Sequence, residues 1–257
     1  MAGRIDTYLE RLRLRKVQRL WSRLPGEVPQ MDLMDLRQWR TQARTMRHDI
    51  DRVIQAADAR LSLPVAGDGE PRPPLGTDWV WRPDLWRGPL AGAGAVADVA
   101  KTALSDDVTV FHDCTAPELI LRQARNHTAR DGAPFGLTVE AFGFDGSFVS
   151  VATRLPQASV DGLRMRHLIR VEVVLDADLP VTAFARLNIK HGPNVEPLVR
   201  DLPRDGREKV VEFDLAYSKI DEKRVERMWL DLIFQRPAMN RITVRDLTVS
   251  RRPRAEL

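Results

Sequence analysis

RMWLDLIFQRPAMNRITVRDLTVSRR, residues 227 to 252, reads as two β-strands joined by a turn. Trp229, Leu230, Leu232, Ile233 and Phe234 form one apolar run, and Ile242, Val244, Leu247 and Val249 form a second. Pro237, Ala238, Met239 and Asn240 break the chain between them. The second run alternates through Ile242-Thr243-Val244-Arg245 and slips by one residue at Arg245-Asp246, after which Leu247 and Val249 resume the apolar face. Such a slip in a period-two pattern marks a β-bulge, since without one every later side chain would change face. The pair is expected to close a β-sandwich, with the basic SRRPRAEL end at its edge.

Upstream the same period recurs from about Val108. Candidate strands are 108–112, 118–122, 137–142, 147–152, 167–175, 182–190 and 209–214, with Asp145-Gly146 as a type I′ hairpin signal between Phe144 and Phe148. About nine short strands without interleaved helices argue a mainly β chain: an antiparallel jelly-roll β-sandwich over 108–257.

The first sixty residues read differently. Ile5, Tyr8, Leu9, Leu12, Val17, Leu20, Trp21 and Leu24 return at helical spacing over 4–24, and Pro25-Gly26 is expected to stop that helix. Residues 1–24 carry seven basic side chains against two acidic ones, although the whole chain is only +4, so the basic character belongs to this helix. A second helix, 33–61, has Asp32 as N-cap and an apolar stripe of Leu36, Trp39, Ala43, Met46, Ile50, Val53, Ile54, Ala57 and Leu61. At about 1.5 Å per residue it reaches roughly 40 Å, long for a helix lying on one small domain. Two N-terminal α-helices therefore precede the sandwich and form an assembly region, 1–61, with Leu9, Leu12, Arg13, Arg15, Lys16, Trp21 and Trp39 as docking residues for another protein chain or a second copy. Contact of 4–24 with a membrane surface stays open as an alternative. Residues 62–107 read as a Pro/Gly/Trp-rich linker and extended segment, holding Trp79, Trp81 and Trp86.

Composition narrows the chemistry. With 43% hydrophobic and 30% charged residues the chain is an ordinary globular one, and no apolar run reaches the length of a membrane span. The lack of a secretory h-region and the single Cys114 suit synthesis in the cytosol. Phe111-His112-Asp113-Cys114 places a thiol near an imidazole and a carboxylate; on a strand His112 and Cys114 could share a face while Asp113 could not, and a small buried cysteine at a strand end is the better account. No zinc spacing, Asp-rich calcium loop or phosphate-binding glycine loop is present; a calcium held by backbone carbonyls is left open, and no cofactor is expected. Asn188, His191 and Asn194 around the Gly192-Pro193 turn, with Trp79, Trp81 or Trp86 as an aromatic platform, make a candidate glycan site. The alternatives for these residues are turn capping by the asparagines and anchoring of the Pro-rich segment by the tryptophans.

The pattern WLDLIF then ITVRDLTV resembles the last two strands of jelly-roll carbohydrate-binding and galactose-binding-like modules, which implies the fold and no particular binding residue. The whole chain, through GTDWVWRPDLWRGPL, FHDC, APFGL, FDGSF, ARLNIKHGPN and EFDLAYSKIDEKRVE, resembles a family of unknown function in alphaproteobacteria linked to the head spikes of gene transfer agents, phage-like particles that bind capsular polysaccharide. The resemblance implies a non-enzymatic structural or attachment protein, made in the cytoplasm and released within a particle, that docks on capsid or spike fibre and touches glycan. No nucleic-acid partner is expected. The other readings are a free carbohydrate-binding protein and a β-sandwich enzyme acting on glycan.

Overall fold

The computed structural model describes residues 2–62, 73–90 and 94–254, without the side chains of 2–12, of several positions between 48 and 62, and of 129. Leu9 and Leu12 thus fall outside the described side chains. In chain order α1 spans Ala2–Glu27, α2 Leu33–Ser62, β1 Trp79–Trp81, α3 Asp84–Arg87, β2 Gly94–Val96, β3 Lys101–Ala103, β4 Val108–His112, β5 Leu119–Arg125, β6 Phe135–Ala141, β7 Phe148–Arg154, β8 His167–Ala177, β9 Ala183–His191, β10 Asn194–Asp201, β11 Glu208–Asp214, β12 Val225–Gln235 and β13 Asn240–Pro253. The chain divides into two compact units, Met1–Val53 and Ile54–Leu257.

In the first unit Asp32 caps α2 as expected, its carboxylate accepting from the Met34 and Asp35 amides at 2.8 and 2.9 Å. Pro25 does not end α1, which runs through it to Glu27 and continues as a 3₁₀ turn over Val28–Gln30. The Trp21 and Trp39 rings meet edge to face with centroids 5.8 Å apart. Leu24 is buried, whereas Leu14, Val17, Leu20, Leu33, Met34 and Ile50 are exposed. Arg13, Arg15 and Lys16 are exposed as well.

The second unit is a two-sheet antiparallel sandwich. Sheet A has the order β11-β8-β13-β6-β5-β2, with β1 pairing to β13, and sheet B the order β10-β9-β12-β7-β4-β3. Strand alternation sends Met228, Leu230, Leu232 and Phe234 of β12 and Ile242, Val244, Leu247 and Val249 of β13 into one core, all fully buried. The two strands are not a hairpin: β12 lies in sheet B and β13 in sheet A, each well inside its sheet. The C-terminal strand is therefore central rather than at an edge, because β8 covers one side of it and β6 and β1 the other. Asp145-Gly146 likewise makes no hairpin, since β6 and β7 belong to opposite sheets and neither residue has a positive φ. Gly146 is required by crowding instead: a Cβ there would lie 2.5 Å from the Asp113 carboxylate and 2.8 Å from the Cys114 amide.

The bulge falls where the slip in the pattern puts it. Val244 pairs with Leu175 and Asp246 with Val174, leaving Arg245 as the extra residue. Three buried side chains from earlier in the chain close on it. Trp86 Nε1 donates to the Val244 carbonyl at 2.9 Å, Asn126 Nδ2 to the Arg245 carbonyl at 2.8 Å, and Arg82 grips both Asp246 carboxylate oxygens at 2.7 and 2.8 Å. Burial lifts the Asp246 carboxyl above the ordinary carboxylate range, and the Arg82 guanidinium opposes that rise. The segment expected as a linker thus enters the sandwich well before residue 108: β1, β2 and β3 join the sheets, and Leu85 and Trp86 are wholly buried.

Removing one partner of this pair leaves a buried charge uncompensated. Asp246→Ala is expected to cost about 3–5 kcal/mol in guanidinium unfolding, and Arg82→Met combined with Asp246→Leu to recover most of it.

Candidate functional site

On the outer face of sheet B the alternation that fills the core turns a second set of side chains away from it, some exposed and others, Ser150, Asp231 and Asn188, covered by their neighbours. From β12 these are Arg227, Trp229, Asp231 and Ile233; from β7, Phe148, Ser150, Ala152 and Arg154; from β4, Thr109 and Phe111; from β9, Arg186 and Asn188. Lys101 of β3 and the loop residues Asp106 and Asp107 wall one side. All of these except Asn188 and Ile233 line a groove of about 500 Å³, within the range of small-molecule clefts.

Cross-strand register sets its layout. Trp229 lies beside Arg154 on one neighbouring strand and Asn188 on the other, while Asp231 lies beside Ala152 and Arg186. The Asp231 carboxylate, almost fully buried, accepts from Arg186 Nε at 2.9 Å and from Asn188 Nδ2 at 2.9 Å. This network fixes the centre of the floor. Arg227 stacks over the Trp229 ring at 5.8 Å and Lys101 over the Phe111 ring at 5.9 Å. The buried Ser150 hydroxyl, also lining the groove, has no partner among the described protein groups. Asp107 accepts from the Ser105 hydroxyl at 2.5 Å, and burial lifts its carboxyl above the ordinary range, outweighing that bond.

The residues named from sequence are placed elsewhere, with one exception. Trp86 shows no surface, and Trp79 and Trp81 are half-buried against the core, so these rings hold the 79–86 segment to the sandwich. His191 is buried and its Nδ1 accepts from the Asp221 amide at 3.3 Å. Asn194 opens β10, an exposed edge strand paired to β9 through the tight turn at Gly192, where the polar stretch had read as a loop. Pro197 within that strand is tolerated because the edge leaves an unpaired side. Asn188 alone lies near the groove: it is buried outside the lining and donates to Asp231, which lines it. Trp229 reads in the sequence as part of the apolar run WLDLIF, where Asp231 is the signal of a polar face, since a carboxylate two residues from a tryptophan on a strand shares its face; Phe111 and Phe148 lie on other strands, and no spacing links them to it.

The thiol cluster is structural. Cys114 Sγ donates to Asp145 at 2.7 Å, and Thr115 donates to the same carboxylate through its amide and hydroxyl. Neither His112 nitrogen makes a hydrogen bond, so no imidazole–thiol pair exists; that ring packs edge-on against Phe144. Among the described residues no three His, Cys, Asp or Glu side chains gather for a metal, and no described helix is long and apolar enough to cross a membrane.

A jelly-roll sandwich with a grooved sheet and an N-terminal helical pair defines the class. The chain belongs to the family of unknown function DUF6478, whose model matches residues 1–257. Among solved structures it is similar to the family 11 carbohydrate-binding module from Clostridium thermocellum in complex with a β-1,3-1,4-mixed-linked tetrasaccharide, at 12% identity and a TM-score of 0.36 over 60% of this chain and 92% of that one. The C-terminal family 22 carbohydrate-binding module of Clostridium thermocellum Xyn10B is similar at 8% identity and a TM-score of 0.36, over 72% and 99%. The enzymatically active domain of tailspike protein 4 of bacteriophage CBA120 is similar at 5% identity and a TM-score of 0.40, over 56% of this chain but 19% of that one. No curated protein matches the sequence.

Hydrogen bonds from Cys114 and Thr115 hold the Asp145 carboxyl down to about 2. A carboxyl depressed by folding stabilises above its ordinary 3.8, and that contribution is lost as pH falls toward 2. Asp145→Asn is therefore expected to lower the thermal midpoint near neutral pH, with the gap to wild type closing by pH 2 in scanning calorimetry.

Proposed function

We propose that this is a non-enzymatic attachment protein that holds polysaccharide in the groove of sheet B and joins other protein chains through its helical N-terminal unit. The observation that carries the reading is the groove itself: the rings of Trp229, Phe111 and Phe148 set around a polar centre of Arg186 and Asp231, which Asn188 holds from beneath. Sugars combine apolar C–H faces with a rim of hydroxyls, so a site for them needs rings to stack on and both donors and acceptors beside them. A strand-borne floor also holds these groups rigid, which lowers the entropy lost on binding. In the helical unit, exposed Leu14, Val17, Leu20 and Ile50 supply apolar surface for docking. Within this reading the particle is a gene transfer agent and the protein a head-spike base, as the sequence resemblance implies; synthesis is cytoplasmic.

Trp229→Ala is expected to abolish retention of the full-length protein in affinity gels containing its polysaccharide, and Trp79→Ala to leave retention intact in whatever fraction stays folded. Retention unchanged by Trp229→Ala would count against the groove. For docking, Leu20→Glu with Ile50→Glu is expected to remove the protein from purified particles while its thermal midpoint stays within about 2 °C of wild type, as surface changes do. A wild-type protein found monomeric and absent from particles would favour a free carbohydrate-binding protein.

One observation favours a second reading, an enzyme acting on glycan: Asp107 has a raised carboxyl and shares the groove with Asp231. A glycosidase pairs a protonated acid with an ionised carboxylate. Reducing ends released by wild type and not by Asp107→Asn would establish it.

A further inference from the structure

We infer that the groove of sheet B takes an acidic polysaccharide, a glycan bearing carboxylates at intervals along its chain, in preference to a neutral one; the inference rests on the groove being the glycan site. Two faces of the same sandwich make the comparison. On the outer face of sheet A, Arg122, Arg170, Arg241, Arg245 and Arg252 each reach a carboxylate within 3.2 Å. In the groove of sheet B, Arg186 is paired in the same way with Asp231 at 2.8 Å. Lys101, Arg154 and Arg227 line that groove, and among the described residues none of the three forms an ion pair with a carboxylate, the neighbouring Glu226 carboxyl pairing instead with Lys190. Lys101 and Arg227 rest over the Phe111 and Trp229 rings, so the charge of all three lacks an opposing carboxylate at contact distance where aromatic rings also line the groove.

Their placement follows the register. Arg154 is directly across from Trp229, and Arg227 lies over its ring. Lys101 is directly across from Phe111, which pairs with Ser150, itself opposite Ile233. Trp229 and Ile233 are four residues apart on one strand, so the two cationic positions are separated by roughly 13 Å along the strand direction, at about 3.3 Å per residue. Each has an aromatic face beside it, and the Arg186–Asp231 pair lies between them. A sugar ring packed beside Trp229 or Phe111, with the flexible Arg227 or Lys101 side chain swung off the ring, would bring its carboxylate to that cation. Arginine suits this because its planar fork accepts a carboxylate through two parallel hydrogen bonds. Two such stations favour a chain with recurring charge over one isolated anionic sugar.

The lining also separates this ligand from a nucleic acid. Asp106, Asp107 and Asp231 face the same groove as the four cations. Phosphates at every residue of a strand would meet these carboxylates at close range, whereas a glycan offers them hydroxyl donors between its charges.

The test uses full-length protein in affinity gels and calorimetry with three probes: polygalacturonate, the same polymer with its carboxyls reduced to hydroxymethyl groups, and single-stranded oligothymidylate. Polygalacturonate is expected to bind at least about tenfold more tightly than its reduced form, to weaken with added salt, and to lose about tenfold on Lys101→Gln with Arg154→Gln. Asp231 and Trp229 are untouched in that variant, and an unchanged unfolding midpoint would show that it folds. Equal binding of both polymers, each abolished by Trp229→Ala, would overturn the preference for charge while leaving the groove as the glycan site. Polygalacturonate binding indifferent to Trp229→Ala would overturn the site itself. Tighter binding of oligothymidylate than of polygalacturonate would overturn the assignment to glycan.

Discussion

The sandwich depends on one irregularity in its central strand. At Val244–Asp246 the ladder of β13 gains a residue, and the backbone groups and carboxylate released there are taken up by Trp86, Asn126 and Arg82. Each is buried, so each bond answers a polar group that water cannot reach. The bulge keeps Leu247 and Val249 on the core side and at the same time ties β1, α3 and the loop before β6 to the middle of sheet A. Its neighbours show how little room is left. A Cβ on Gly132 would lie 2.5 Å from Asp246 Oδ2, and one on Gly136 3.0 Å from the Val244 carbonyl.

The two sheets spend their outer faces differently. Sheet A carries a ladder of mutually satisfied charges, Arg170 with Glu172 and Glu212, Arg252 with Glu212, Arg245 with Asp176. Exposed pairs of this kind contribute little to stability one by one, but each sets a cation against a carboxylate. Sheet B breaks the pattern: rings stand beside unpaired cations, and a carboxylate is buried at the centre of the face. Folding alone does not require this arrangement, since a buried Asp231 must be satisfied by two neighbours to be held at all. A surface that is costly for the fold and specific in its chemistry is where a ligand is to be sought.

The sequence carried the local half of this picture. Period-two runs exposed most strands, the slip at Arg245-Asp246 located the bulge to the residue, and Asp32 announced its cap. What it did not carry was which strands share a sheet. The bulge partners lie 119 to 164 residues away in the chain, and no spacing rule links Arg82 to Asp246 or Asn126 to Arg245. The same blindness turned β12 and β13 into a hairpin and Asp145-Gly146 into a turn signal, because adjacency in sequence was taken for adjacency in a ladder. The tryptophans misled for another reason: Trp79, Trp81 and Trp86 are conspicuous as a cluster, yet burial is what three large rings near one another most often mean. The groove's own ring, Trp229, sat inside an apolar run where only Asp231 hinted that one face was wet.

The position of β12 and β13 in chain order has a kinetic side. Every other strand of either sheet precedes them, yet β12 must enter between β9 and β7, and β13 between β8 and β6. Until they arrive, each sheet is two separate halves with raw inner edges, and the groove has no floor. A sandwich joined this way is dominated by contacts distant in sequence, the regime in which domains form slowly and exposed strand edges invite wrong pairings. The stretch that gives each sheet its middle is also the one that completes the floor of the groove.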